Sequence, residues 1–168
     1  MKSPEVAILL GSDSDFPFIE PGLEFFKKFD VSFKVLVHSA HRSPELVRSF
    51  VTKAREDGVK VLIGAAGGAA HLAGVLAAHT ILPVIGIPIP TPELGGLDSL
   101  LSTVQMPSGI PVATVAVGKS GAVNAAVLAV QILALGNAEL TKKLLNYKKE
   151  LEEGVKAKNA KLEKSLNK

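Results

Sequence analysis

A five-stranded, doubly wound α/β domain is predicted by three observations. Apolar runs of four or five residues, rich in Val and Ile, recur at Val6–Leu10, Phe33–Val37, Val61–Ala65, Val84–Ile87 and Ala113–Val117. Runs apolar on both faces suit a parallel sheet covered by helices on either side. Each also ends in a Gly, Ser, His or Pro cluster, and the segments between them have helical features.

The elements follow in order. Asp15 and Ser43 each precede a Pro (Pro17, Pro44) by one or two residues, so each is read as the N-cap of a helix with an early proline. Pro21-Gly22 lies inside the first helix and is expected to kink it or delay its regular part. The second helix runs from Pro44 to about Asp57 and stops at Gly58, a natural residue just past a helix end. Further helices are expected at 68–79, 96–104, 120–136 and 139–164. The strand order chosen for such a chain is 2-1-3-4-5, the flavodoxin-like three-layer arrangement, with an extended C-terminal helix.

Residues 1–168 read as a single domain, since no repeat or internal linker appears. In the last segment Leu140, Leu144, Tyr147, Leu151, Val155, Leu162 and Leu166 form one apolar stripe between Lys and Glu. Residues 139–164 could pack on their own domain, but Gly136-Asn137 separates them from the body. That favours contact with a neighbouring subunit.

Charge and composition exclude several classes. Between Lys60 and Glu139 the only charged side chains are Glu93, Asp98 and Lys119, and the mean hydropathy is +0.31. Pro, Gly and His interrupt two of the charge-free stretches, and Asn124 and Gln131 the third, so no membrane span is expected. The formal charge of +3 resides in residues 141–168, which carry nine Lys against four Glu, and this removes most support for a nucleic-acid surface. The chain has no Cys, so disulfides and thiolate zinc sites are excluded. No targeting peptide is evident, because Val6–Leu10 is short and runs into Gly11-Ser12-Asp13-Ser14-Asp15.

In a doubly wound sheet ligands bind beyond the carboxyl ends of the strands. Four loops lie there: Gly11–Asp15, His38–Ser43, Ala66–His71 and Pro88–Gly96. Their Gly and Ser residues let backbone N–H groups approach a phosphate, and Arg42 can add a bidentate contact. His41 is the acid–base candidate, since imidazole can donate and accept a proton in one turnover. His38 and His79 read as structural, whereas His71 could reach the site or a subunit contact. The His38-x-x-His41 spacing lacks an adjacent acidic ligand, so no metal is expected. Gly118-Lys119-Ser120 fails as a P-loop and as a nucleophile elbow, and Ala65-Ala66 stands where a signalling receiver needs an Asp.

Five motifs in register, Gly11–Asp15, Ser39-Ala40-His41-Arg42-Ser43-Pro44, Ala66–Leu72, Gly96–Leu100 and Gln105–Val112, make the chain resemble the class I PurE family, the N5-carboxyaminoimidazole ribonucleotide mutases of de novo purine synthesis. The resemblance implies a cytoplasmic enzyme, a homo-octamer embraced by C-terminal helices, working without metal, ATP or organic cofactor. It implies a ribonucleotide substrate bound by Ser12, Asp15 and Arg42 with help from Ser14 and Ser39. His41 would be the proton shuttle, and the loop of Gly67, Gly68, Ala69, Ala70 and His71 part of the carboxylate pocket. Two other readings are a sister carboxylase using free CO2, which typically has Lys where Arg42 stands, and a noncatalytic flavodoxin-like binding or signalling module. Gly64-Ala65 reverses the family's usual order, Ala73 replaces a usual Pro and Ser43 a usual Thr.

Overall fold

The computed structural model describes residues 3–166. Two compact units divide the chain, one up to Ile132 and one from Leu133 onward. The first holds a parallel sheet of β1 (Val6–Leu10), β2 (Phe33–Val37), β3 (Val61–Gly67), β4 (Val84–Ile89) and β5 (Ala113–Thr114) in the order 2-1-3-4-5. The helices are α1 (Phe16–Lys28), α2 (Pro44–Ala54), α3 (Leu72–Ala78), α4 (Leu97–Val104), α5 (Gly118–Ala134) and α6 (Ala138–Leu166).

The double-sided apolar runs do what their pattern requires: every residue of β1 and β4 is buried, whereas the edge strand β2 is only partly covered. On one face Leu9 and Leu62 meet Val47 and Val51 of α2 and Leu72 and Leu76 of α3. On the other, Ile8, Ile63 and Ile87 meet Ile19 and Phe26 of α1 and Ala122 of α5. Gly22 is required by that second layer, since a Cβ there would lie 2.6 Å from the carbonyl oxygen of Ala122.

Several boundaries differ from the expectation, each for a local reason. The edge strand β5 spans two residues rather than 113–117. Val115 still donates to Gly86 O at 3.1 Å, but Pro88, the next β4 residue on that side, has no N–H to continue the ladder. Strand β3 runs on to Gly67, paired with Ile89, and α3 starts only at Leu72 rather than near 68. Gly68 lies between them at φ +65°, a conformation no α-helix contains. Helix α1 is continuous through Pro21, which forfeits only the hydrogen bond to the carbonyl four residues earlier.

Neither expected N-cap side chain bonds its helix. The Ser43 hydroxyl instead accepts from Ser39 N–H and donates to Ser39 O, both at 3.0 Å. The carboxylate of Asp15 reaches back to Ser12. Helix α2 ends at Ala54 rather than near Asp57, because residues 55–58 tighten into turns: Gly58 N–H bonds Arg55 O at 3.1 Å, and Gly58, at φ +92°, brings Val59 N–H back to Ala54 O at 2.9 Å.

In the second unit the Asn137 side chain caps α6, accepting from the N–H groups of Glu139 and Leu140, each at 3.1 Å. Leu145, Leu151, Val155, Leu162 and Leu166 remain exposed along it. Among the described residues, no helix is long and apolar enough to cross a membrane.

Candidate active site

Beyond the carboxyl ends of β1, β2 and β3 lies an open cleft of about 480 Å³. Three loops build it, and each owes its shape to short-range chemistry.

The loop after β1 is a 3₁₀ turn, Asp13–Asp15, closed by a capping box. The Asp15 carboxylate accepts the N–H of Ser12 at 3.0 Å, the Ser12 hydroxyl accepts the N–H of Ser14 at 3.4 Å, and the Ser14 hydroxyl donates to Ser12 Oγ at 2.9 Å. Asp15 is 7% exposed, and this burial pushes its carboxyl above the ordinary range. The Ser12 and Gly11 amides and the nearby Arg42 charge oppose the rise, and Asp13 adds to it.

The loop after β2 turns on Ser39, whose hydroxyl accepts the N–H of Arg42 at 3.2 Å. The guanidinium of Arg42 then crosses to the first loop and donates to Gly11 O at 2.9 Å. Four of its five N–H donors stay available for a bound anion. Ser12, Ser14, Asp15, Ser39, His41 and Arg42 all line the cleft, as the sequence led one to expect.

The loop after β3 supplies an apolar wall, with Ala66, Gly67, Ala69 and Leu72 facing the cleft. Gly68 and His71, expected with them, are not part of that lining. Gly68 turns its backbone away. His71 meets His41 edge to face, its Nδ1 3.0 Å from Nε2 of His41. In this arrangement one imidazole nitrogen donates and the other accepts, so a single hydrogen links the two rings.

His38 is held elsewhere, with Nδ1 at 2.7 Å from Val37 O and its ring against Phe50, and His79 ends α3. Among the described residues no group of three or more His, Cys, Asp or Glu is placed to hold a metal ion.

Sequence reasoning missed Ser99, Ser102 and Thr103, the hydroxyls through which α4 meets the third loop. They recur at i, i+3 and i+4 on a helix whose other residues are apolar apart from Asp98, and buried hydroxyls need partners. That pattern was the available signal. Two of the three departures noted in the family pattern turn out to be neighbours, since Ala73 backbone crowds the space that a Cβ on Gly64 would occupy.

The family model described as AIR carboxylase matches residues 5–154. The N5-carboxyaminoimidazole ribonucleotide mutase of Pyrococcus horikoshii is 49% identical over 97% of this chain and 92% of its own length. That of Mycobacterium tuberculosis is 47% identical over 98% and 94%. The crystal structure of Treponema denticola PurE superposes with a TM-score of 0.86 at 30% identity, covering 95% of this chain and 98% of that one. With the match extending over nearly all of the sheet, the three loops and most of the last helix, the chain belongs to the AIR carboxylase family.

Proposed function

We propose that the protein is an isomerase of purine biosynthesis that converts N5-carboxyaminoimidazole ribonucleotide to 4-carboxy-5-aminoimidazole ribonucleotide. The observation that carries the reading is the His41–His71 pair, bonded at 3.0 Å, at the edge of a cleft with hydroxyls and an Arg on one side and an apolar wall on the other.

The chemistry needs those three parts. Protonation of the carbamate nitrogen breaks the N–C bond and releases CO2 beside aminoimidazole ribonucleotide. The electron-rich ring carbon attacks the CO2, a C–C bond forms, and the same carbon then loses a proton. One proton is taken up and one returned, so a single acid–base centre serves both steps. His41 fills that role. His71, through the Nε2···Nδ1 bond, holds the shared proton and fixes the ring. Arg42, Ser12 and Asp15, with Ser14 and Ser39, bind the phosphate and ribose. The Gly67–His71 loop closes the space that CO2 would otherwise leave by.

The test is incubation with N5-carboxyaminoimidazole ribonucleotide in the absence of ATP and bicarbonate, with appearance of the 4-carboxy product followed. Product formed only from aminoimidazole ribonucleotide and added CO2 would make the protein the sister carboxylase, and no turnover of either would leave a binding module.

The active form proposed is a homo-octamer in which residues 139–164 of one subunit pack on a neighbour. The exposed apolar side chains of α6 and the exposed Leu97, Leu101 and Val104 on α4 support self-association. A native mass equal to one chain would refute it. A cytoplasmic location fits a substrate whose phosphate charge keeps it from crossing membranes unaided.

A further inference from the structure

The apolar wall of the cleft is tied from behind by hydroxyls of α4, beside the packing of Ala70 into the core. Along the loop after β3 the residues alternate: Gly67 and Ala69 face the cleft, and the amides of Gly68 and Ala70 turn toward α4. Ser99, fully buried, accepts the Gly68 N–H at 2.9 Å and donates its one proton to Ile89 O at 2.6 Å. Ser102 accepts the Ala70 N–H at 3.0 Å and donates within α4 to Asp98 O at 2.8 Å. No atom lies within 4 Å of where a Cβ on Gly68 would point, so packing does not fix the loop there. The two hydroxyls supply what packing omits, and Ser99 also ties the loop to the end of β4.

We propose that Ser99 and Ser102 are positioning residues of the mutase, setting the wall formed by Gly67 and Ala69 close enough to the substrate ring to retain CO2 between its release and recapture. The inference rests on the mutase reading given above. CO2 carries no charge and is a weak hydrogen-bond acceptor, so its retention depends on how closely the walls approach. Losing the Ser99 hydroxyl leaves the Gly68 N–H without its partner, and losing that of Ser102 leaves the Ala70 N–H only its 2.8 Å bond to Gly68 O inside the loop, so in either case a tie to α4 is gone and the loop can withdraw. CO2 then escapes, and the turnover ends at aminoimidazole ribonucleotide instead of the carboxylated product.

The experiment measures both products formed from N5-carboxyaminoimidazole ribonucleotide by the full-length enzyme, after subtraction of the enzyme-free decarboxylation rate. For Ser99→Ala and Ser102→Ala the ratio of aminoimidazole ribonucleotide to 4-carboxy product is expected to rise roughly tenfold, the equivalent of about 1.4 kcal/mol. KM is expected to stay near the wild-type value, because the loops carrying Ser12 and Arg42 are untouched. Phe26→Leu, a core truncation in α1 on the opposite face of the sheet, should keep the wild-type ratio. Ser102→Thr, which retains the hydroxyl, should restore it.

Ser102 is only half-buried, so its variants decide the matter if Ser99→Ala fails to fold. A wild-type ratio in folded Ser102→Ala, or a Thr variant that leaks as much as Ala, overturns the positioning role. A wild-type enzyme that makes no 4-carboxy product overturns the mutase reading itself, and that result is read before any variant is made.

Discussion

Adding one methyl group to the centre of the sheet should damage stability and turnover together. A Cβ on Gly64 of β3 would stand 2.9 Å from Ala73 Cα, 3.0 Å from Ala73 N and 3.1 Å from Ala73 Cβ. Carbon atoms in contact prefer about 3.5–4.0 Å, so Gly64→Ala obliges α3 to retreat by roughly 0.6–1.1 Å. The obstacle is helix backbone, which cannot swing aside as a side chain can. Overpacking of this kind costs about 1–3 kcal/mol, offset by the roughly 0.4–1 kcal/mol that Ala gains over Gly by restricting the unfolded chain. A net loss of about 1–2 kcal/mol should appear in urea denaturation at a fixed protein concentration. Because α3 begins immediately after His71, the same retreat pulls His71 from His41, and kcat should fall by up to about 100-fold with a smaller change in KM. Adding Ala73→Gly removes only the 3.1 Å contact, leaving the two closer backbone atoms, so the double variant should recover only part of the loss. Unchanged stability and kcat in Gly64→Ala would refute the coupling between this packing and the histidine pair.

The remaining predictions concern the site and the last helix. His41→Asn should lower turnover of N5-carboxyaminoimidazole ribonucleotide by at least about 10²–10⁴-fold with the fold retained by circular dichroism, and full activity would remove His41 from the mechanism. Arg42→Ala should raise KM by about 10- to 100-fold, the value of one charge-assisted contact, and an unchanged KM would count against a phosphate role. Asp15 has a raised carboxyl in the folded state, chiefly through burial, so the native protein holds this proton at pH values where the unfolded chain has released it. Its contribution to stability therefore falls as pH rises from about 4, the ordinary carboxylate range, and levels off above the native value. Asp15→Asn should abolish that part of the slope, and identical slopes in denaturation series across pH would contradict it. Leu151→Asp with Val155→Asp should lower the native mass of the oligomer, and an unaltered mass would separate those positions from the subunit contact.

Strand positions and their order were legible because burial on both faces leaves a mark in composition, as the unbroken apolar runs of β1 and β4 show. The placement of His41 and Arg42 at the cleft was legible because a strand's carboxyl end is a known address for ligands. The N-caps were not: a Ser or Asp before Pro can bond either forward into the helix or back into its own loop, and Ser43 and Asp15 both turn back. The short β5 was hidden because its partner's Pro88 is remote in sequence from the strand it truncates. Ser99 and Ser102 were hidden for the same reason, since each bonds an amide 31 or 32 residues away. What escapes a reading of the sequence here is mainly the choice of partner among groups whose local chemistry allows several.

The strand order itself explains how one cleft presents a polar wall and an apolar wall side by side. The loops after β1 and β2 carry the hydroxyls, the carboxylate and the guanidinium, and the loop after β3 carries only small apolar residues on its cleft side. In the order 2-1-3 the charged pair of loops and the apolar loop become neighbours without mixing. A carbamate must be protonated at the boundary between them, where the ribonucleotide ends and CO2 departs. The hydrogen bond from His41, after β2, to His71, after β3, spans β1 and lies on that boundary. A single histidine on either loop would be anchored to one side only. Under the proposed function the joined rings would place the shared proton where the leaving group and the recapturing carbon both need it, so any change that separates the loops should weaken proton transfer and CO2 retention together.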